Sequence, residues 1–194
     1  MAPLAERLAR WSGRRAGSSR TKALSTLSGA LFFLVLLPLL MSLASQELDA
    51  RLGLPPWPPR PAGLISGSAL AILGLFLAGW SAWAQLRLGG GTPLPVAPTQ
   101  RLVTEGPYAL CRNPMTLGEL LYLTGLGLLL SSPGFLLLTW LILLPAIVAY
   151  LKLVEERELE MRFGRAYLAY KEEVPFLIPR PRRRGNRCRG PGGP

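Results

Sequence analysis

The sequence predicts an all-α, polytopic integral membrane protein, and three uncharged stretches carry that prediction. No charged residue occurs in the 24 positions from Ala23 to Gln46, the 26 from Pro61 to Leu86, or the 32 from Leu120 to Leu151. One bilayer crossing takes roughly 20 apolar residues. The first two stretches each suit one crossing. The third is too long for one and contains Ser131-Ser132-Pro133-Gly134, a turn by composition. About four transmembrane helices result, over roughly 23–46, 62–86, 115–130 and 135–154. Helices are the expected form because in lipid each must satisfy its own backbone hydrogen bonds.

The first helix follows a basic, small-residue-rich arm over 1–22. Its uncharged length exceeds the 7–15 residues of a signal-peptide core, so it reads as a retained helix, with Pro38 a kink. The loop 47–61 holds Pro55, Pro56, Pro58, Pro59 and Pro61 around Trp57, and a stiff extended segment is expected there. The second helix ends in Trp80 and Trp83, placed as aromatics sit at a membrane interface. The loop Gly89–Pro98 is half Gly and Pro and is not a helix. After Val154 the pattern becomes amphipathic. Leu159, Phe163, Tyr167, Tyr170 and Val174 recur on one face, so a C-terminal helix over roughly 155–174 is expected at the membrane surface or packed beneath the hairpin. Gly164 inside it points to a close approach. The organisation expected is an arm 1–22, a membrane domain 23–178 and a basic flexible tail 179–194.

Charge sets the expected orientation. Twenty basic residues fall in the N-terminal arm, the loop between the second and third helices, and the segment from Lys152 onward; the other side holds only Arg51 and Arg60. The positive-inside rule makes a multi-pass protein with both termini cytoplasmic. The net charge of +11 is then explained by topology and by anionic lipid headgroups, and nucleic acid is not an expected partner. There is no histidine, which excludes a histidine base or metal ligand. Cys111 and Cys188 form no metal-binding spacing and are expected as reduced thiols on the cytoplasmic side. The helices carry almost no polar groups near the bilayer centre, where transport sites are built.

The polar residues instead cluster at two places that the hairpin must join. At about 1.5 Å per residue, Met115 lies roughly 24 Å and Val154 roughly 30 Å from the turn between the third and fourth helices. The segment Arg112–Gly118 and the pair Glu155-Glu156 should therefore face each other across the 8–10 Å that separates packed helix axes. Arg112 offers a fork for a carboxylate, Asn113 an acceptor and two donors, and the glutamates acceptors for hydroxyl or amino groups. The set suits a small zwitterion bearing a sugar. Plain interfacial anchoring with Arg–Glu pairing is the other reading.

These residues resemble the isoprenylcysteine carboxyl methyltransferase and phospholipid methyltransferase family of integral membrane methyltransferases. The matching elements are Gly106-Pro107-Tyr108, then Arg112-Asn113-Pro114-Met115-Thr116-Leu117-Gly118, a hydrophobic hairpin, and Glu155-Glu156. Phe163-Gly164, Tyr167, Tyr170, Val174 and Pro175 downstream, with Gly91-Thr92-Pro93, Pro95 and Pro98 upstream, also fit. The likeness runs over about residues 87–180.

The resemblance implies an S-adenosylmethionine-dependent enzyme that methylates a lipophilic or prenylated acceptor at the cytoplasmic face. It implies cofactor binding by Tyr108, Arg112, Asn113, Pro114, Thr116, Gly118, Glu155 and Glu156, and catalytic parts for Arg112, Asn113 and Arg157. Arg157 or Arg162 would orient an acidic acceptor. Two positions depart from the family pattern: Asn113 replaces a histidine and Thr116 a tyrosine. Methyl displacement from a sulfonium depends on positioning and desolvation and needs no base when the acceptor is already an anion. A carboxylate acceptor is thereby favoured. A phospholipid N-methyltransferase and a catalytically impaired binding or assembly subunit are the alternatives.

Overall fold

The computed structural model describes residues 19–91 and 99–179. Most of the basic arm, residues 92–98 of the loop Gly89–Pro98 and the tail with Cys188 lie outside the described residues. Among the described residues there are helices and no strands.

Helix α1 runs Ser19–Leu31, passes through a π-helical stretch Phe32–Leu36 and continues as Leu37–Leu52. Helix α2 runs Arg60–Ala84 and ends in a π-helical stretch Gln85–Gly89. A 3-10 turn, Gly106–Ala109, precedes helix α3, Pro114–Leu129. Helix α4 begins at Pro133–Leu137 and includes the π-helical stretches Leu138–Leu143 and Leu151–Glu155; it ends as Glu156–Phe163. Helix α5 is Arg165–Glu173.

Three helical spans, Thr26–Leu52, Arg60–Gly89 and Pro133–Phe163, are long and apolar enough to cross a membrane, and α3 is a shorter apolar helix. Ile65, Ile72, Leu141 and Ile142 face outward, each at least 64% exposed, as expected of side chains that meet lipid. Pro38 is buried, with the π-helical stretch just before it. The carbonyl of Leu34, four residues earlier, accepts from the Tyr122 hydroxyl at 2.9 Å. That bond serves an acceptor which a proline nitrogen cannot, and it ties α1 to α3.

Helix α3 is the centre of the bundle. One face meets α2 backbone to backbone. A Cβ at Gly118 would lie 2.6 Å from the Ala78 nitrogen and 2.7 Å from the Gly74 carbonyl oxygen. Gly125 stands in the same relation to Ala71 and Gly67. Small residues at helical spacing permit this approach, as they do at membrane helix interfaces generally. The other face supplies Leu123 to a core shared with Met41 of α1 and Phe135 of α4.

The turn between α3 and α4 sits at the end of the bundle away from Arg112. Ser132 caps α4 by accepting from the Phe135 N–H at 3.1 Å and donates to Asp49 of α1. The Gly134 N–H donates to the same carboxylate at 2.6 Å. The hairpin turn expected from composition is present, and Asp49 fastens it.

At the opposite end, the amphipathic stretch expected over 155–174 is present in two pieces. Its first part continues α4 without a break, and Gly164 then divides it. Gly164 has φ 54° and ψ −128°, a conformation essentially restricted to glycine. No atom lies within 4 Å of a Cβ placed there. The glycine serves the bend, and the close approach expected from sequence is absent. The apolar stripe still works across the bend. Tyr167, Tyr170 and Val174 form a buried cluster, with Leu102, Leu159 and Phe163 packed on it.

Candidate functional site

The Gly106–Ala109 turn is held between two helices. Pro107 and Tyr108 are buried. The Tyr108 hydroxyl accepts from Gln85 Nε2 of α2 at 2.6 Å, and its carbonyl accepts from the Tyr170 hydroxyl of α5 at 2.7 Å. Burial raises the Tyr108 phenol far above its ordinary value, and the nearby Glu155 carboxylate raises it further. Tyr108 stays neutral, and Glu155 is its acidic neighbour. Tyr167 is pushed up to about 12, first by burial and then by Glu156. Cys111 is a buried free thiol, raised by burial.

Arg112 and Glu156 meet, within the two segments that the hairpin arithmetic sets face to face and as the anchoring reading expects of an Arg–Glu pair. Arg112 Nη1 lies 2.7 Å from Glu156 Oε1, and both side chains are about nine-tenths buried. Lys171 of α5 takes the other oxygen at 2.8 Å and reaches Glu160 at 2.9 Å. Those bonds, Glu156 first, raise the Lys171 ammonium above the usual lysine range. Glu156 thus has a cation on each oxygen. Glu155, partly buried beside it, makes no ion pair or hydrogen bond among the described residues.

The other predicted residues divide by placement. The Asn113 carboxamide donates to the Phe176 carbonyl at 2.9 Å, and the Arg112 backbone N–H donates to the Pro175 carbonyl at 2.8 Å. Together they dock the chain that follows α5 onto the start of α3. Pro114 is buried as the first residue of α3, and Thr116 is half-buried two residues along. Gly118 faces α2, and its lack of a side chain is explained by that packing. Arg157 points to the exterior and is exposed. Arg162 pairs with Glu158 at 3.2 Å and donates to the Thr99 carbonyl, so its guanidinium is already occupied.

Sequence reasoning missed Gln85, Lys171 and the Pro175-Phe176 strap. Gln85 had a signal: it is the one amide in the uncharged stretch 61–86. Lys171 looked like any charge on an amphipathic helix. Gln85 and Glu155 each sit in a π-helical stretch, one on α2 and one on α4. Such irregularities often occur at functional sites. Three buried polar atoms have no hydrogen-bond partner here: Gln85 Oε1, Arg112 Nε and Glu119 Oε1.

Comparison with known proteins places the sequence. No solved structure matches the chain. Protein-S-isoprenylcysteine O-methyltransferase B of Arabidopsis thaliana is 32% identical over 83 residues, 41% of this chain and 40% of that protein. Cobalt-zinc-cadmium resistance protein CzcN of Cupriavidus metallidurans is 34% identical over 82 residues, 41% of this chain and 36% of that protein. The matches thus span about two fifths of these curated relatives. A family model described as phospholipid methyltransferase matches residues 62–166, from the start of α2 to the start of α5 and through every site element from Gln85 to Glu156. The chain belongs to the phospholipid methyltransferase family.

Proposed function

We propose that the protein is an S-adenosylmethionine-dependent methyltransferase that works at the cytoplasmic face and methylates a lipophilic acceptor, a carboxylate by preference. The single observation that carries this reading is the set of unsatisfied polar groups around Tyr108 and Arg112. A buried polar atom without a partner costs about 1–3 kcal/mol. Gln85 Oε1 and Arg112 Nε bear that cost, and the Glu155 carboxyl, near Tyr108, has no ion-pair or hydrogen-bond partner among the described residues.

Those groups fit the cofactor. The Glu155 carboxylate suits ribose hydroxyls or a cation, the Gln85 carboxamide oxygen suits an amino group, and the Arg112 Nε–H suits a carboxylate. When bound, the cofactor supplies a methyl group on a sulfonium, open to direct displacement. The chain's own task is placement. Glu156 and Lys171 hold Arg112, Gln85 and Tyr170 hold the Tyr108 turn, and burial excludes water. No side chain near the site is needed as a base if the acceptor arrives as an anion. That agrees with a site that contains no histidine.

One observation favours a second reading, a subunit that binds without turnover. Asn113 stands where the family pattern has a histidine, and its carboxamide is spent on the Phe176 carbonyl. The two readings separate in one experiment. Purified protein in detergent is titrated with S-adenosylhomocysteine and then incubated with membrane fractions and radiolabelled methyl donor. Saturable binding with a labelled lipid fraction supports the enzyme. Binding without label supports the subunit, and no binding at millimolar ligand removes both.

A further inference from the structure

The cations around the site are unequally committed. Arg112 and Lys171 share Glu156, and Arg162 is held by Glu158 and Thr99. Lys152 is different. It lies on α4, three residues before Glu155, within the apolar span Pro133–Phe163. It is exposed and pairs with no carboxylate among the described residues. Two residues before Val154, it sits at the interfacial end of that span, where its ammonium can meet the polar end of an amphiphile.

The side chain also has a defined place. Lys152 Nζ lies 5.3 Å from the centre of the Phe176 ring, within the range of cation–π attraction. The Arg112 guanidinium lies 5.5 Å from the same ring. The ring is not free to wander, because the Phe176 carbonyl is bonded by Asn113 and the Pro175 carbonyl by the Arg112 N–H. One donor beside the anchored ring is therefore unspent, the Lys152 ammonium, which is exposed. An ammonium over a ring face keeps its N–H bonds for another acceptor. What that ammonium lacks is an anionic oxygen.

We propose that Lys152 and the Phe176 ring form a ledge that receives the anionic group of an amphiphile, and so select an anionic methyl acceptor. Lys152 is the specificity-determining residue, and Asn113 positions the ring beneath it. The inference rests on the methyltransferase reading for its meaning, and its test is kept separate from that reading.

The full-length protein in uncharged detergent is titrated with dodecanoate and with methyl dodecanoate, which differ only in the charge. S-adenosylhomocysteine binding is measured on the same samples. The wild type should bind dodecanoate at least about tenfold more tightly, the scale of one hydrogen bond to a charged group. Lys152→Met should abolish the preference, Lys152→Arg should retain most of it, and both should bind S-adenosylhomocysteine as the wild type does. No preference in the wild type, or a preference that survives Lys152→Met, overturns the proposal. A third arm compares nanodiscs with and without phosphatidylglycerol. If Lys152→Met loses only the enrichment of that lipid, Lys152 is a headgroup contact and the ledge is overturned. If Lys152 governs the carboxylate preference while no sample binds S-adenosylhomocysteine, the ledge stands and the methyltransferase reading falls.

Discussion

Arg112 and Glu156, 44 positions apart, form a 2.7 Å ion pair that joins the start of α3 to α4. Lys171 completes it from α5, so three helices converge on one carboxylate. The adjacent glutamate has none of these bonds, and the two acids should therefore separate by experiment.

Glu156→Gln leaves a largely buried guanidinium unpaired. Breaking a buried pair costs about 3–5 kcal/mol, so a marked fall in Tm in detergent is expected. Glu155→Gln removes a carboxyl group with no structural partner. It should leave Tm nearly unchanged and weaken S-adenosylhomocysteine binding by about 1.5–3 kcal/mol. Thermal scans and ligand titrations of the two variants side by side check the contrast. Equal effects of both substitutions on both readouts would contradict it.

Gly118→Ala should destabilise the bundle by about 1–3 kcal/mol, the usual cost of overpacking, because its Cβ meets α2 backbone atoms at 2.6–2.7 Å. Gly79→Ala, in the same helix pair but with nothing within 4 Å, is the matched control and should be neutral or slightly stabilising. Denaturation in mixed micelles measures both.

Gly164→Ala tests the bend. Nothing crowds the position, so any loss comes from backbone strain, about 1–3 kcal/mol. Limited proteolysis should then cut between α4 and α5 sooner than in the wild type, while the α1–α4 bundle stays resistant.

The Lys171 pairing has a pH signature whose sign follows from its raised pKa. A lysine raised by its partners contributes stability that is fully present below the unfolded value, about 10.4. The contribution is lost as pH rises through the folded value above it. Lys171→Met should be less stable than wild type by at most about 1 kcal/mol at pH 8, and the difference should vanish at strongly alkaline pH. Melting curves of both proteins across that range decide.

Much of this architecture was legible because bilayer thickness and helix rise are rigid measures. The uncharged runs located α1 to α4. Turn length and rise alone set the Arg112–Gly118 segment opposite Glu155-Glu156, and the Arg112–Glu156 pair is what the plain anchoring reading expected. The stripe Leu159, Phe163, Tyr167, Tyr170 and Val174 read correctly as a packing face. Its division at Gly164 did not, since a glycine in a helical pattern carries no record of its φ and ψ. Sequence spacing treated Glu155 and Glu156 alike; only their different orientations on α4 give one two cations and the other none. Lys171 and the Phe176 carbonyl reach the site through a strap whose course no periodicity encodes.

The glycine seam between α2 and α3 also limits traffic. Where Gly67, Gly74, Gly118 and Gly125 bring two backbones into contact, no aperture wide enough for a hydrocarbon tail exists. A membrane-dissolved molecule bound for Arg112 must come around α3 rather than through that wall, and widening the seam would trade a sealed flank for a leak.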